Sequence, residues 1–148
     1  MQFFSNCTPW IVRGRAPDRE RTVATRILIV DDSPTVRRVE RALIERQRDW
    51  EVCGEAENGQ VAIEKFGELR PDCVVLDMSM PVMNGLEAAR KLSSIAPQVP
   101  LLMCTMFKST QLLREARKAG IYDVISKSEE LSEGLVKAID TALQDAAN

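Results

Sequence analysis

From Arg26 onward the chain alternates short apolar runs with longer amphipathic stretches. Ile27-Leu28-Ile29-Val30 is apolar throughout and rich in β-branched residues, which suits a strand buried on both faces. Ser33-Pro34 then reads as a helix N-cap followed by a first-turn proline. Val36, Val39, Leu43 and Ile44 follow at a spacing that predicts one buried helical face. The unit recurs along the chain. Val52-Cys53, within Trp50 to Ala56, predicts a second strand, and Asn58-Gly59 turns into a helix over Val61 to Leu69 that Pro71 ends. Cys73-Val74-Val75-Leu76 predicts a third strand, followed by a helix from Asn84 to Ile95. Leu101-Leu102-Met103-Cys104 predicts a fourth, followed by a helix from Ser109 to Ala119 that stops at Gly120. Asp123-Val124-Ile125-Ser126 is a fifth, weaker strand, and Ser128 is expected to cap a last helix faced by Leu131, Leu135, Ile139 and Leu143.

Five such alternations predict a five-stranded parallel sheet with right-handed crossovers. Helices must cover both faces, giving a doubly wound, three-layer α/β/α fold. No glycine-rich phosphate loop follows the first strand, where Asp31-Asp32-Ser33 stands instead, so nucleotide binding through such a loop has no support.

Residues 1–24 are different. Arg13, Arg15, Arg19 and Arg21 outnumber Asp18 and Glu20 there, with no helical or strand period. They are expected to form a disordered or irregular leader, the other reading being a basic arm for an acidic partner. Residues 25–148 then form one domain, in keeping with a chain of 148 residues. A net charge of −2 gives no argument for nucleic acid or an anionic membrane. The chain has no histidine, which removes Ser-His-Asp and Cys-His catalysis and any histidine-ligated metal. Its 4 cysteines form no C-x-x-C pair, and Cys53, Cys73 and Cys104 each lie in an apolar run. They are expected to be buried free thiols in a reducing cytoplasm. No apolar run approaches the roughly 20 residues of a membrane span, and the N-terminus is a poor signal peptide.

Polar residues gather where the apolar strands stop. Asp31 and Asp32 end the first strand, Asp77 the third, Thr105 the fourth and Lys127 the fifth. In a parallel sheet all these ends share one edge, and ligands bind there. Three carboxylates brought together repel one another unless a cation is present. Mg²⁺ suits such a site, because it takes few protein ligands and keeps waters and phosphate oxygens. Lys127 adds a second positive charge and Thr105 a hydroxyl donor, a set that can stabilise a transferring phosphoryl group. Asp77 is the candidate nucleophile, because the adjacent Asp31 and Asp32 suit a metal cradle.

These residues resemble the receiver domain of two-component response regulators, which is found mainly in bacteria. The resemblance covers about residues 26–146. Its strongest motif is Asp77-Met78-Ser79-Met80-Pro81-Val82-Met83-Asn84-Gly85, which matches the family's acceptor aspartate, Met-Pro and closing glycine. Ile29-Val30-Asp31-Asp32, Gly59 with Ala62, Thr105 and Lys127 match the rest. The resemblance implies a flavodoxin-like receiver fold and a signalling switch rather than an enzyme. It implies that Asp77 is phosphorylated by a histidine kinase or a His-phosphotransfer protein. It implies Mg²⁺ held by Asp31, Asp32, Asp77 and the Ser79 backbone carbonyl, with Thr105 and Lys127 on the phosphoryl group. A downstream protein target is expected on the face made by the fourth helix, fifth strand and fifth helix, with a homodimer left open and neither membrane nor direct nucleic-acid binding.

Three positions depart from the family pattern. Met106 stands where a small residue is usual, and its long side chain can narrow access to the phosphoryl site. Val124 replaces an aromatic residue; Tyr122, two positions earlier, is expected on the same side of the strand by simple alternation. Ser128 follows the lysine in place of proline, so the turn there is expected to be trans. These departures keep a second reading open, a receiver-fold binding or scaffold module that never uses phosphorylation. A third reading is a receiver cut from a DNA-binding transcription regulator. An aspartate-nucleophile phosphatase is disfavoured, because Ser79 stands where such enzymes carry their second aspartate.

Overall fold

The computed structural model describes residues 23–128 and 131–148, so the expected leader lies almost wholly outside the described residues, as does the entry into the last helix. The strands are β1 (Thr25–Val30), β2 (Trp50–Ala56), β3 (Cys73–Asp77), β4 (Leu101–Thr105) and β5 (Ile121–Ser126). The helices are α1 (Pro34–Glu45), α2 (Gly59–Leu69), α3 (Gly85–Ile95), α4 (Thr110–Lys118) and α5 (Leu131–Ala147). All strands pair in parallel, in the order β2-β1-β3-β4-β5. The expected doubly wound sheet is therefore present.

Strand alternation divides the core in two. Leu28, Val30, Val74, Leu76, Leu101 and Met103 pack with α2, α3 and α4, through Phe66, Leu86, Leu92 and Ala116. Ile27, Ile29, Cys73, Val75, Leu102 and Cys104 pack with α1 and α5, through Leu43, Ile44, Leu135 and Ile139. Both faces of β3 and β4 are covered, which explains why those segments carry apolar runs rather than alternation. Four helices begin on the residues that favour an N-cap. Ser33, Asn58, Asn84 and Ser109 each accept a backbone N–H through the side chain, and Asn84 with Glu87 completes a capping box.

Two expectations need correcting. The inward face of α1 is Glu40, Leu43 and Ile44, while Val39 is 43% exposed. Four residues beyond Val36, the helical turn brings position 40 over the sheet, and an acid occupies it. Tyr122 does not share a side with Val124. The β4–β5 register shifts between Leu101 and Leu102, passing from Ile121 to Asp123, so Tyr122 is bulged out of the pairing. Val124 is buried in the α2/α3/α4 layer, whereas the Tyr122 hydroxyl donates to Asp145 on α5.

The α4–β5 turn depends on Gly120, which has φ +95°, in the left-handed region. A β-carbon there would also lie 2.0 Å from Ser93 Oγ and 2.9 Å from Ser93 Cβ. Gly120→Ala is expected to lower the urea midpoint by an amount worth more than about 1 kcal/mol. Adding Ser93→Gly relieves the clash but not the backbone strain, so the double variant recovers only part of the loss. Full recovery in urea denaturation would show that the positive φ carries no strain.

Candidate functional site

The order of strands reverses direction between β1 and β3: β1 leads outward to β2, and β3 leads the other way to β4 and β5. The carboxyl ends of β1 and β3 therefore flank an open crevice, the place where doubly wound sheets bind ligands. Asp31 follows the end of β1, and Asp77 is the last residue of β3. By alternation Asp77 continues the side of Cys73 and Val75, beneath which α1 and α5 pack.

The acids do converge. One carboxylate oxygen from each of Asp31, Asp32 and Asp77 lies within 4.8 Å of the others. Asp31 and Asp77 are buried, and Asp32 is exposed. Lys127 reaches across from the end of β5, its Nζ 2.6 Å from Asp31 Oδ2 and 3.0 Å from Asp77 Oδ1. The other Asp31 oxygen accepts the Ser33 N–H at 2.9 Å, which closes the turn into α1. Thr105 is buried at the end of β4, and its carbonyl accepts the Lys127 N–H at 2.8 Å, anchoring the lysine backbone. Ser79 is exposed in the loop after Asp77. Met106 and Phe107 follow Thr105 outward, 51% and 82% exposed.

The loop after Asp77 folds back on it. The Gly85 N–H donates to the Met78 carbonyl at 2.9 Å. A β-carbon on Gly85 would stand 2.2 Å from the Asp77 carbonyl oxygen, so only glycine permits this approach. Between them, Val82 adopts φ +68°, and Met83 N–H donates to the Pro81 carbonyl at 2.6 Å, a three-residue turn that β-branched residues rarely take.

Electrostatics follow from this crowding. Burial, together with the charges of Asp31 and Asp32, pushes the Asp77 carboxyl above its ordinary value, although the Lys127 hydrogen bond opposes that. Burial would lower Lys127, but hydrogen bonds to Asp31 and Asp77 outweigh it and raise its value. Among the described residues, the Lys127 ammonium pairs with two of these three carboxylates, so the pocket is short of positive charge. A hard divalent ion with oxygen ligands fits that donor set.

Sequence reasoning missed Glu40. It is 1% exposed, and neither carboxylate oxygen has a hydrogen-bond partner among the described residues. Burial first, then the charges of Asp31 and Asp77, push its carboxyl up to about 8, with Lys127 easing this only in part. Its one sequence signal was a charge at an inward helical position, hidden because Val39 beside it offered an apolar substitute.

Residues 27–140 match the family of the response regulator receiver domain. The chain is 40% identical over 102 residues to the chemotaxis protein CheY of Thermotoga maritima, covering 69% of this chain and 84% of that protein. It is 38% identical over 116 residues to the transcriptional regulatory protein LnrK of Bacillus subtilis, covering 78% of this chain and 52% of that one. Its fold matches the crystal structure of the response regulator domain of Thermotoga maritima CheB with a TM-score of 0.77 at 31% identity, over 82% of this chain and 97% of that one. No helix among the described residues is long and apolar enough to cross a membrane.

Two predictions follow from the site's geometry. An unfolded glutamate releases its proton near the usual value of about 4.3, whereas Glu40 in the folded chain holds it to about 8. Its contribution to stability is thus fully present below the lower value and is lost as pH rises through the upper one. The urea midpoint is expected to fall as pH rises from about 4.3 to about 8 and to level off above that, and Glu40→Gln to flatten that fall; an unchanged slope in the variant would place the proton elsewhere. Gly85→Ala is expected to destabilise the fold and to shift the Asp77 amide resonance, because the new methyl must push the Asp77 carbonyl away. A variant with wild-type midpoint and Asp77 shift would contradict that close approach.

Proposed function

The chain belongs to the response regulator receiver domain family, and we propose that it acts as a phosphorylation switch whose acceptor is Asp77. The observation that carries this reading is Lys127 bridging Asp31 and Asp77 at the strand-order reversal, with Asp32 completing a three-carboxylate cradle. Asp31, Asp32 and Asp77, with the Ser79 backbone carbonyl, are the residues that would hold Mg²⁺. When bound, the ion would supply positive charge against the oxygens of a phosphoryl group.

The remaining roles fall to the chain's own groups. The donor is a phosphohistidine on a histidine kinase or a His-phosphotransfer protein, in keeping with the absence of histidine here. An Asp77 carboxylate oxygen attacks phosphorus, an O–P bond forms, the P–N bond breaks, and the imidazole leaves with the partner. Lys127 starts on Asp77 and follows the charge onto the phosphoryl oxygens. The Thr105 hydroxyl donates to one of those oxygens, drawing the Met106–Phe107 segment with it. Receiver domains are switches rather than enzymes in the ordinary sense, so the product is a change of surface.

That surface is the face of α4, β5 and α5, where Leu113 and Tyr122 are exposed, with Phe107 exposed in the segment that leads into α4. It suits a downstream protein target or a second copy of the chain. Coupling through an aromatic side chain at position 124 is excluded by Val124 itself, and the bulge at Tyr122 directs that ring to Asp145 instead. Output therefore runs through the β4–α4 segment. The buried, unpaired thiols of Cys73 and Cys104 are in keeping with a reducing cytoplasm.

Incubation with acetyl phosphate and Mg²⁺ is expected to add the mass of one phosphoryl group, read by intact-protein mass spectrometry. Chelation of the metal or Asp77→Asn should abolish the addition. A folded wild type that never gains the mass would favour a scaffold module that works without phosphorylation.

A further inference from the structure

We propose that Arg37 is a positioning residue for the acidic turn, holding Asp31 and Asp32 ready for a divalent cation by bridging the Asp31 carbonyl to the Glu55 carboxylate. The inference rests on the metal-binding reading of the site given above. The Asp31 backbone is gripped from both sides. Its N–H donates to the Ala56 carbonyl at 3.0 Å, and its carbonyl accepts from Arg37 Nη1 at 2.7 Å. The carbonyl is thereby turned toward α1, which leaves the carboxylates of the turn to face the crevice.

Arg37 is itself fixed. Its Nε donates to Glu55 Oε1 at 2.8 Å, and the other Glu55 oxygen accepts from Arg41 Nε at 2.8 Å. Arg37 and Arg41 lie one helical turn apart on α1, so both reach the same carboxylate. The Glu55 carbonyl accepts Lys65 Nζ at 2.6 Å, tying the end of β2 to α2 as well. Burial would raise the Glu55 carboxyl, but the hydrogen bonds from Arg37 and Arg41 outweigh it and keep the group below its ordinary value. The acceptor therefore stays charged, and the fork stays closed, across the neutral range. The planar guanidinium offers several donors in a fixed fork, so it satisfies a carbonyl and a carboxylate at once with less loss of side-chain freedom than an ammonium on a flexible stem.

The opposite end of β1 provides a matched comparison. Arg26 makes the same two kinds of contact, with Nη1 3.0 Å from Glu51 Oε2 and Nη2 2.8 Å from the Leu69 carbonyl. Arg26 braces β1 against β2 and α2 far from the acids, and Arg37 braces the turn that bears them. Both arginines hold the sheet together, but only one fixes candidate metal ligands. Groups that orient metal ligands in this way commonly change metal affinity by about 10–100-fold when removed.

Calorimetric titration of the full chain with Mg²⁺ separates the roles, with the amide shifts of Asp32 and Asp77 as a second readout. Arg37→Ala is expected to weaken Mg²⁺ binding by about tenfold, and Arg37→Lys by less. Arg37→Ala combined with Glu55→Gln should be no worse than the stronger single variant, because both break one bridge. Arg26→Ala should lower stability yet keep the wild-type affinity. An Arg37→Ala affinity within about twofold of wild type, or an equal loss in Arg26→Ala, overturns the proposal. A wild type that binds no Mg²⁺ overturns the metal reading itself, and the two failures are therefore distinguishable.

Discussion

One ammonium group ties the two halves of the site together. Lys127 donates to Asp31 and to Asp77, partners separated from it by 96 and 50 positions in the chain. Without that contact the carboxylates at the ends of β1 and β3 would face each other across a poorly solvated crevice. Breaking a buried pair of this kind typically costs about 3–5 kcal/mol, because the partner charge is left uncompensated. The contact is also incomplete, since among the described residues Lys127 pairs with two of the three carboxylates. Asp77 remains raised above its ordinary value despite the lysine. The fold thus builds a pocket with a standing demand for positive charge, which the divalent ion of the proposed phosphoryl switch would meet.

The sheet makes this arrangement unavoidable. With the order β2-β1-β3-β4-β5, the reversal falls between the two strands that end in aspartate. Parallel pairing brings all the polar termini to one edge, and burial of both sheet faces leaves that edge as the place for charge. Local devices then refine it. Gly85 lets α3 start against the Asp77 carbonyl. Ser33 closes the turn on Asp31, and Arg37 anchors its carbonyl. Glu40 runs against the trend: an unpaired acid is kept in the core below the site, where an apolar side chain would pack without penalty.

Much of this was legible in the sequence because apolar runs and polar strand ends are local signals. Ile27 to Val30 followed by Asp31-Asp32, and Cys73 to Leu76 followed by Asp77, marked each strand together with the acids that converge at its end. The N-caps Ser33, Asn58, Asn84 and Ser109 were readable for the same reason, since a cap acts within its own turn. The misses depended on tertiary placement. Val39 and Glu40 are neighbours, and only packing against the sheet decides which faces inward. Tyr122 would lie with Val124 on an ideal strand, but a one-residue bulge in the pairing with β4 breaks the alternation. The Arg37–Glu55 bridge joins an α1 residue to the end of β2 and leaves no periodic trace.

The most direct test is a crystal structure of the chain with Mg²⁺ and beryllofluoride, a stable mimic of a phosphoryl group on aspartate. The mimic is expected on an Asp77 carboxylate oxygen, with the ion on Asp31, Asp32 and Asp77. Lys127 Nζ should have moved from Asp77 onto the fluorides, and the Thr105 hydroxyl should point at them. An adduct at another residue, an ion away from the three carboxylates, or a Lys127 still bridging Asp31 and Asp77 beneath a bound mimic would contradict the assigned roles.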